Sequence, residues 1–236
     1  MKRPNLKDVT LVIIDCGDYE RAKKSLEVSS FYANYGDIKF FADFDKDDVI
    51  KTPEIDYVGY QYFKTFEINK YIDTDFFINS EWDGFGLSSN WSDEFLKYDY
   101  VGAPWHWCAG HMDIGCGGFS LRSKKLLETM DSDERLKHSL MNLDFVADDV
   151  FTCRIQRPYL ELVHGIKYAP RHVGSKWCAE GVVWDGQFGF HDFAYTDITK
   201  WGDSSLFDME YVSDKNFIEY TRTGKVYFQQ LKYLGI

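Results

Sequence analysis

Apolar runs and polar breaks alternate along this chain in lengths that suit the strands and helices of an α/β domain. Val9-Thr10-Leu11-Val12-Ile13-Ile14 is β-branched and almost wholly apolar, which predicts a central parallel strand buried on both faces. It ends at an acidic turn, Asp15-Cys16-Gly17-Asp18. From Tyr19 to Tyr35, Ala22, Leu26, Ser29 and Ala33 recur at helical spacing and predict a helix stopped by Gly36. Ile38 to Ala42 predicts a second strand, and the polar stretch Asp43 to Asp56, with Pro53, a loop. Tyr57 to Tyr71 predicts a helix with Tyr60, Phe63, Ile68 and Tyr71 on its core face. Phe76-Phe77-Ile78 predicts a short buried strand that runs into Glu81, Asp83 and Gly84.

Farther on, Trp91 and Phe95 sit four apart on a short predicted helix, and Tyr98 to Trp105 reads as a strand stopped at Pro104. The small residues of Ala109 to Gly118 suggest backbone held close to a ligand. Phe119 to Ser123 predicts a strand, and Ser123 the cap of a helix from Lys124 to Met130. Asp131 to Leu143 is expected to be partly helical. Asp148-Asp149 opens a predicted helix, where the macrodipole favours acids, and Gly165 ends it. Ile166 to Pro170 reads as a short edge strand. The β-α-β opening predicts an α/β fold: a Rossmann-like mixed, mostly parallel central sheet flanked by helices. No GxGxxG fingerprint and no internal repeat is present. One domain over residues 1–236 is expected, with a first half at about 9–86 whose β-α-β order resembles half of a nucleotide-binding sheet, a second half at about 87–193 and a tail at 194–236.

The charge narrows the partners. The chain carries 38 acids against 27 bases, a net charge of −11, and has no basic patch. It should repel nucleic acid and anionic membranes, and an anionic substrate would need a bridging cation. Aromatic residues make up 18%, enough rings to stack on a sugar or base and equally suited to filling a core. The five cysteines are odd in number and lack CxxC spacing, which argues against a disulfide framework or zinc site and predicts free thiols in a cytoplasmic setting. No apolar stretch approaches the length of a membrane span, and no secretory signal is read at the N-terminus.

Glu81 and Asp83 are two apart in an extended segment, so they point to one side at the carboxyl end of a buried strand. Open α/β sheets bind ligands there. One acid is placed to hold a divalent cation and the other to steer water or a sugar hydroxyl; a solvated acidic turn is the alternative. His106 and His111 flank the small-residue loop and could meet phosphate, whereas the apolar neighbours of His191 suit a core histidine.

Glu81-Trp82-Asp83-Gly84-Phe85, Val101-Gly102-Ala103-Pro104-Trp105, Gly117-Gly118-Phe119-Ser120-Leu121-Arg122, Asp148-Asp149-Val150-Phe151 and Phe188-Gly189-Phe190-His191 occur in that order. Together they resemble a poorly characterised glycosyltransferase-like family of unknown function, over roughly residues 9 to 193. More distantly the series is similar to the GT-A glycosyltransferases of the galactosyltransferase and fringe type. The resemblance implies a GT-A-like fold and inverting, metal-dependent transfer of a sugar from a UDP- or GDP-linked donor to a carbohydrate or glycoconjugate acceptor. It places Glu81 and Asp83 at the DxD motif, with Glu81 a departure from the usual Asp, so Asp83 is the firmer ligand of Mn²⁺ or Mg²⁺. His191 becomes the late metal ligand, and Asp149, with Asp148 as the alternative, the base. Gly117 and Gly118 would line donor and acceptor. Asp15, Gly84 and Arg122 join the expected donor and acceptor contacts, as do the rings of Trp82, Trp105, Trp107 and Phe119. The acceptor would be read by the Trp105 to Ile114 loop and the tail. Two other readings stand beside this one: a non-catalytic carbohydrate-binding protein on the same fold, and a metal-dependent nucleotidyltransferase, against which the lack of a phosphate-cradling Gly-Lys motif counts.

Overall fold

The structure, a computed structural model, describes residues 2–53, 55–105, 110–143 and 146–192. The tail at 194–236, and His106 and Trp107 among the expected site residues, lie outside them. The apolar run near the N-terminus forms β1 (Asn5–Ile14), followed by α1 (Tyr19–Tyr32), β2 (Asn34–Ala42), β3 (Ile50–Lys51) and α2 (Tyr57–Tyr62). From α2 the chain continues into a π-helical turn at Phe63–Glu67 and a 3₁₀ turn at Ile68–Tyr71. Next come β4 (Phe76–Ser80), β5 (Gly84–Gly86), a 3₁₀ turn at Asp93–Lys97, β6 (Tyr100–Val101), β7 (Phe119–Ser123), α3 (Lys124–Ser132) and α4 (Glu134–Met141). The last described elements are α5 (Asp148–Val150), a π-helical turn at Phe151–Ile155, α6 (Arg157–His164), α7 (Arg171–Trp177), β8 (Cys178–Ala179) and β9 (Gly189–His191).

The expected mixed, mostly parallel sheet is present. Its six strands run in the order β3-β2-β1-β4-β7-β6, and β7 alone runs opposite to the other five. A smaller sheet, β5-β9-β8, lies beside it. The two-residue period of β1 divides the core, as a strand buried on both faces must. Leu11 and Ile13 pack with Ala22 and Leu26 of α1 and Val173 and Trp177 of α7. Val12 and Ile14 pack with Phe63, Ile68 and Leu127 on the other side. Ser123 caps α3 as expected, accepting from the Leu126 amide; Trp91 rests edge-on against Phe95 at 5.3 Å, but it precedes the 3₁₀ turn rather than sharing a helix with Phe95.

Several expectations are corrected. The first helix ends at Tyr32, Ala33 is already extended, and Gly36 lies inside β2 rather than stopping a helix. A Cβ on Gly36 would sit 2.0 Å from the Lys7 carbonyl oxygen, where the β1–β2 register shifts. The glycine therefore answers a close approach of two strands. The polar loop before Asp56 contains β3, and Tyr71, expected in the core, is 38% exposed. The strand over Tyr98 to Trp105 shrinks to β6, because the chain crosses Gly115 at Gly102, where a Cβ would meet the Gly115 carbonyl at 1.7 Å. Ile166 to Pro170 contributes one bridge, Tyr168 to Tyr100, in place of a strand. The single helix expected from Asp148 to Gly165 is three segments, with a proline in the first turn of α6; Gly165 does end it, at φ 62°. Cys16, Cys116, Cys153 and Cys178 are free thiols. No helix among the described residues is long and apolar enough to cross a membrane.

Gly36→Ala should lower stability by about 1–3 kcal/mol through backbone overpacking, read as a fall in Tm. An unchanged Tm would show that β1 and β2 can separate at that point without cost.

Candidate functional site

The buried strand β4 delivers its acids as expected, and the backbone then folds them into a tight hairpin. The Glu81 amide donates to the Gly84 carbonyl at 2.8 Å and the Gly84 amide to the Glu81 carbonyl at 3.1 Å, leaving Trp82 and Asp83 at the tip. β5 carries the chain away and pairs with β9, which sets Gly84 opposite His191. The Asp192 amide donates to the Asp83 carbonyl at 2.9 Å and ties the two segments together. The imidazole of His191 lies against glycine on two sides. A Cβ on Gly118 would be 2.1 Å from the ring, and one on Gly84 2.9 Å from it.

Glu81, Asp83 and His191 each offer a ligand atom within 4.8 Å of the others. His191 Nε2 lies 3.8 Å from Glu81 Oε2 and 3.9 Å from Asp83 Oδ1. Asp83 Oδ1 is buried and has no hydrogen-bond partner in the described structure, an orphan acceptor facing an imidazole and a second carboxylate. Burial pushes the Asp83 carboxyl up to about 7, with Glu81 and Asp192 adding to it and His191 pulling it back. Burial alone would lower His191, but Cys116, Glu180 and Asp83 outweigh it and hold the imidazole well above its usual range. Two carboxylates, one of them with an unsatisfied buried oxygen, and one imidazole suit a divalent cation that accepts both oxygen and nitrogen.

Asp148 and Asp149 are adjacent in sequence and differ in environment. Asp148 is buried and paired with Arg122 and with Lys64 Nζ at 2.7 Å, while its amide donates to Gln61 Oε1 at 2.9 Å. Burial would raise its carboxyl, but Arg122 and Lys64 outweigh that and hold it at about 2. Among the described residues no cation pairs with Asp149. Its Oδ2 accepts from the Gly117 amide at 2.8 Å and its Oδ1 from the Val150 amide at 2.7 Å. Burial and the Asp148 charge push it up to about 6 against the pull of Lys64. Gly117 and Gly118 are the junction: one binds Asp149 and the next packs on His191, so two consecutive residues join the acid pair to the hairpin acids. Asn79 Nδ2, inside β4, fixes the junction by donating to the Gly117 carbonyl at 2.6 Å.

Lys64 is central to the site and was not anticipated. It is 2% exposed and comes from the π-helical turn after α2, a distortion often found at functional sites. Its ammonium donates to Glu81 Oε1 at 3.0 Å, to Asp148 Oδ1 at 2.7 Å and to the Tyr60 hydroxyl at 3.1 Å. Tyr60 in turn donates to Glu81 Oε1 at 2.8 Å, so that oxygen is fully engaged while Oε2 faces His191. Burial alone would depress the lysine, but Asp148 and Glu81 outweigh it and keep it charged. A lone lysine among Tyr62, Phe63, Thr65 and Phe66 was the available signal. Glu180 was missed as well; it accepts from or donates to His191 Nδ1 at 2.9 Å, according to protonation.

A cavity of about 420 Å³ opens at the carboxyl ends of β1 and β4, within the range of small-molecule sites. Asp15, Glu81 and Trp82, all expected at the site, line it with Cys16, Asp56, Tyr57 and Tyr60. Asp15 Oδ1 accepts from the Gly17 and Asp18 amides, and the Arg21 guanidinium lies 5.0 Å above the Trp82 ring. Other expected contacts belong to the interior. Trp105 is 6% exposed, with its ring against Gly115, because the glycine leaves the space a side chain would fill. Phe119 stacks on Trp177 at 4.9 Å, inside the core. Arg122 is buried against Asp148, the nearest carboxylate able to offset its desolvation. Gly84, Gly117 and Gly118 give their space to His191 and the acid pair.

A family model described as protein of unknown function (DUF5672) matches residues 56–191, the span that holds Lys64, Glu81, Asp83, Asp149, Glu180 and His191. No curated protein matches the chain. Among solved structures, a glycosyltransferase involved in the glycosylation of the major capsid of PBCV-1 aligns at 14% identity and a TM-score of 0.47, covering 78% of this chain and 92% of that one. A197 from STIV aligns at 12% identity and a TM-score of 0.36, covering 68% of this chain and 79% of that one.

Lys64→Met should destabilise the fold by about 3–5 kcal/mol, because it leaves Glu81 and Asp148 buried with one cation fewer. Urea unfolding measures the loss; a change within about 0.5 kcal/mol would mean that the carboxylates find water instead.

Proposed function

The chain belongs to the DUF5672 family of proteins of unknown function, and we propose that its cleft is the active site of an inverting, cation-dependent glycosyltransferase. The observation that carries this reading is the meeting of Glu81, Asp83 and His191 at one end of the Gly117-Gly118 junction with a carboxylate of raised pKa, Asp149, at the other. The cavity beside Glu81, walled by Asp15, Tyr57 and Trp82, is assigned to the nucleoside of a UDP- or GDP-linked sugar. An acidic protein of net charge −11 that binds a diphosphate needs a positive centre at the phosphates.

Asp83, His191 and the free oxygen of Glu81 are the residues that would hold Mn²⁺ or Mg²⁺. When bound, the ion supplies charge neutralisation for the leaving diphosphate. Asp149 is assigned as the base. Each of its oxygens accepts one backbone hydrogen bond, and each retains a lone pair for the proton of an acceptor hydroxyl. Proton removal on the face opposite the leaving group makes the hydroxyl oxygen a nucleophile toward the anomeric carbon, and the sugar inverts. Asp148 holds its neighbour in place and does not compete for the proton, since Arg122 and Lys64 keep it ionised. The acceptor is a carbohydrate or glycoconjugate hydroxyl.

Asp149→Asn should cut sugar transfer by about 10²–10⁴-fold while donor binding survives, measured by product formation and by calorimetry with UDP and GDP sugars. Retained transfer, or lost binding, would remove Asp149 from this role. The base must be ionised, so kcat/KM should fall as pH drops below about 6, the value to which burial raises Asp149. A flat profile between about pH 5 and 8, the window of carboxylate and histidine titration, would oppose the assignment. EDTA and Asp83→Asn should each weaken UDP or GDP binding; undiminished affinity in both would count against the cation.

A further inference from the structure

We propose that Glu180 is a positioning residue for His191, holding the imidazole so that Nε2 is presented to the cation site. The inference rests on that site as proposed above and adds a residue that neither the motif series nor the cavity picked out.

The small sheet brings the two residues together. β8 and β9 are parallel, with Cys178 facing Gly189 and Ala179 facing Phe190, so one further step along both chains sets Glu180 beside His191. Glu180 Oε1 lies 2.9 Å from His191 Nδ1, and both side chains are about four-fifths covered, at 21% and 20% exposure. A carboxylate at this distance takes the Nδ1 proton as its hydrogen bond, which leaves Nε2 as the ring atom facing outward. Nε2 is the nitrogen that lies 3.8 Å from Glu81 Oε2 and 3.9 Å from Asp83 Oδ1.

The glycines fix one degree of freedom and Glu180 the other. Gly118 and Gly84 form a shelf against the imidazole and restrict where the ring can lie. A shelf without polar side chains cannot decide which nitrogen faces the acids, since the ring can turn over in place. The bond to Glu180 decides it. The same anion raises the basicity of the ring and so strengthens it as a ligand. Glu180 itself stays one layer behind the cation, with His191 between.

The test is calorimetric titration of Mn²⁺ into the full chain and its variants, with melting curves as the folding control. Glu180→Ala should weaken Mn²⁺ binding by about 10–100-fold, the usual cost of losing such a partner. Glu180→Gln can still accept the Nδ1 proton but lacks the charge, and should lose less; it also carries the test if the alanine variant fails to fold. In a His191→Ala background, Glu180→Gln should cost nothing further, because the residue it acts through is gone. Mn²⁺ affinity in Glu180→Gln equal to that of the unmodified chain overturns the inference and leaves the cation site standing. The same penalty with and without His191 also overturns it, since a merely structural role would give that result. Failure of the unmodified chain to bind Mn²⁺ overturns the cation site itself, and this inference with it.

Discussion

One buried ammonium ties three parts of this chain together. Lys64 leaves the π-helical turn after α2, reaches Glu81 at the end of β4, and reaches Asp148 at the start of α5. A lysine at 2% exposure is tolerated only when its charge is offset at close range. The two carboxylates have the same requirement, so none of the three can be left behind. Their mutual need fixes the positions of three segments that no continuous backbone ladder joins. It also divides Glu81, whose Oε1 is held by Lys64 and Tyr60 and whose Oε2 is left to face His191.

Environment, rather than residue type, separates the acids by role. Asp148, between Arg122 and Lys64, sits at about 2; Asp149, half-buried and paired with no cation among the described residues, at about 6; Asp83, half-buried beside another acid, at about 7. Pairs of like groups driven apart in this way are a common basis for acid and base assignments. The glycines make the arrangement possible by omission. Side chains at Gly84, Gly117 or Gly118 would occupy the space now taken by His191 and by the acid pair. These positions were expected to lie against a ligand; they lie against the residues proposed to serve one.

Much of the framework could be read from local pattern. β1, β4 and β7, the Ser123 cap and the αL end at Gly165 follow from short-range rules: β-branched runs, a hydroxyl before a helix, a glycine after one. The hairpin acids were legible for the same reason, being a charged pair at the end of a buried strand. Gly36 was misread because a glycine that admits a neighbouring strand looks, in sequence, the same as one that ends a helix. Trp105 and Arg122 were assigned to ligand contacts because aromatic and cationic residues serve binding and interior packing alike; their burial separates the two. Lys64 and Glu180 carried almost no sequence signal. A lone lysine or glutamate is ordinarily a solvated surface residue; Lys64 meets Asp148 far along the chain, and Glu180 meets His191 only once β8 and β9 pair.

The sequence by itself determined the alternation of strands and helices, the carboxyl-end placement of Glu81 and Asp83, and the excess of acids over bases. These depend on neighbours within a few residues and on total charge, which a linear chain specifies directly. Tertiary structure decided which acid is clamped between cations and which accepts backbone amides instead, which oxygen of Glu81 faces His191, and that Gly117 and Gly118 join the acid pair to the hairpin acids. Those outcomes depend on distances of about 3–4 Å between groups tens of residues apart, and on how much water each group loses as the chain closes around it.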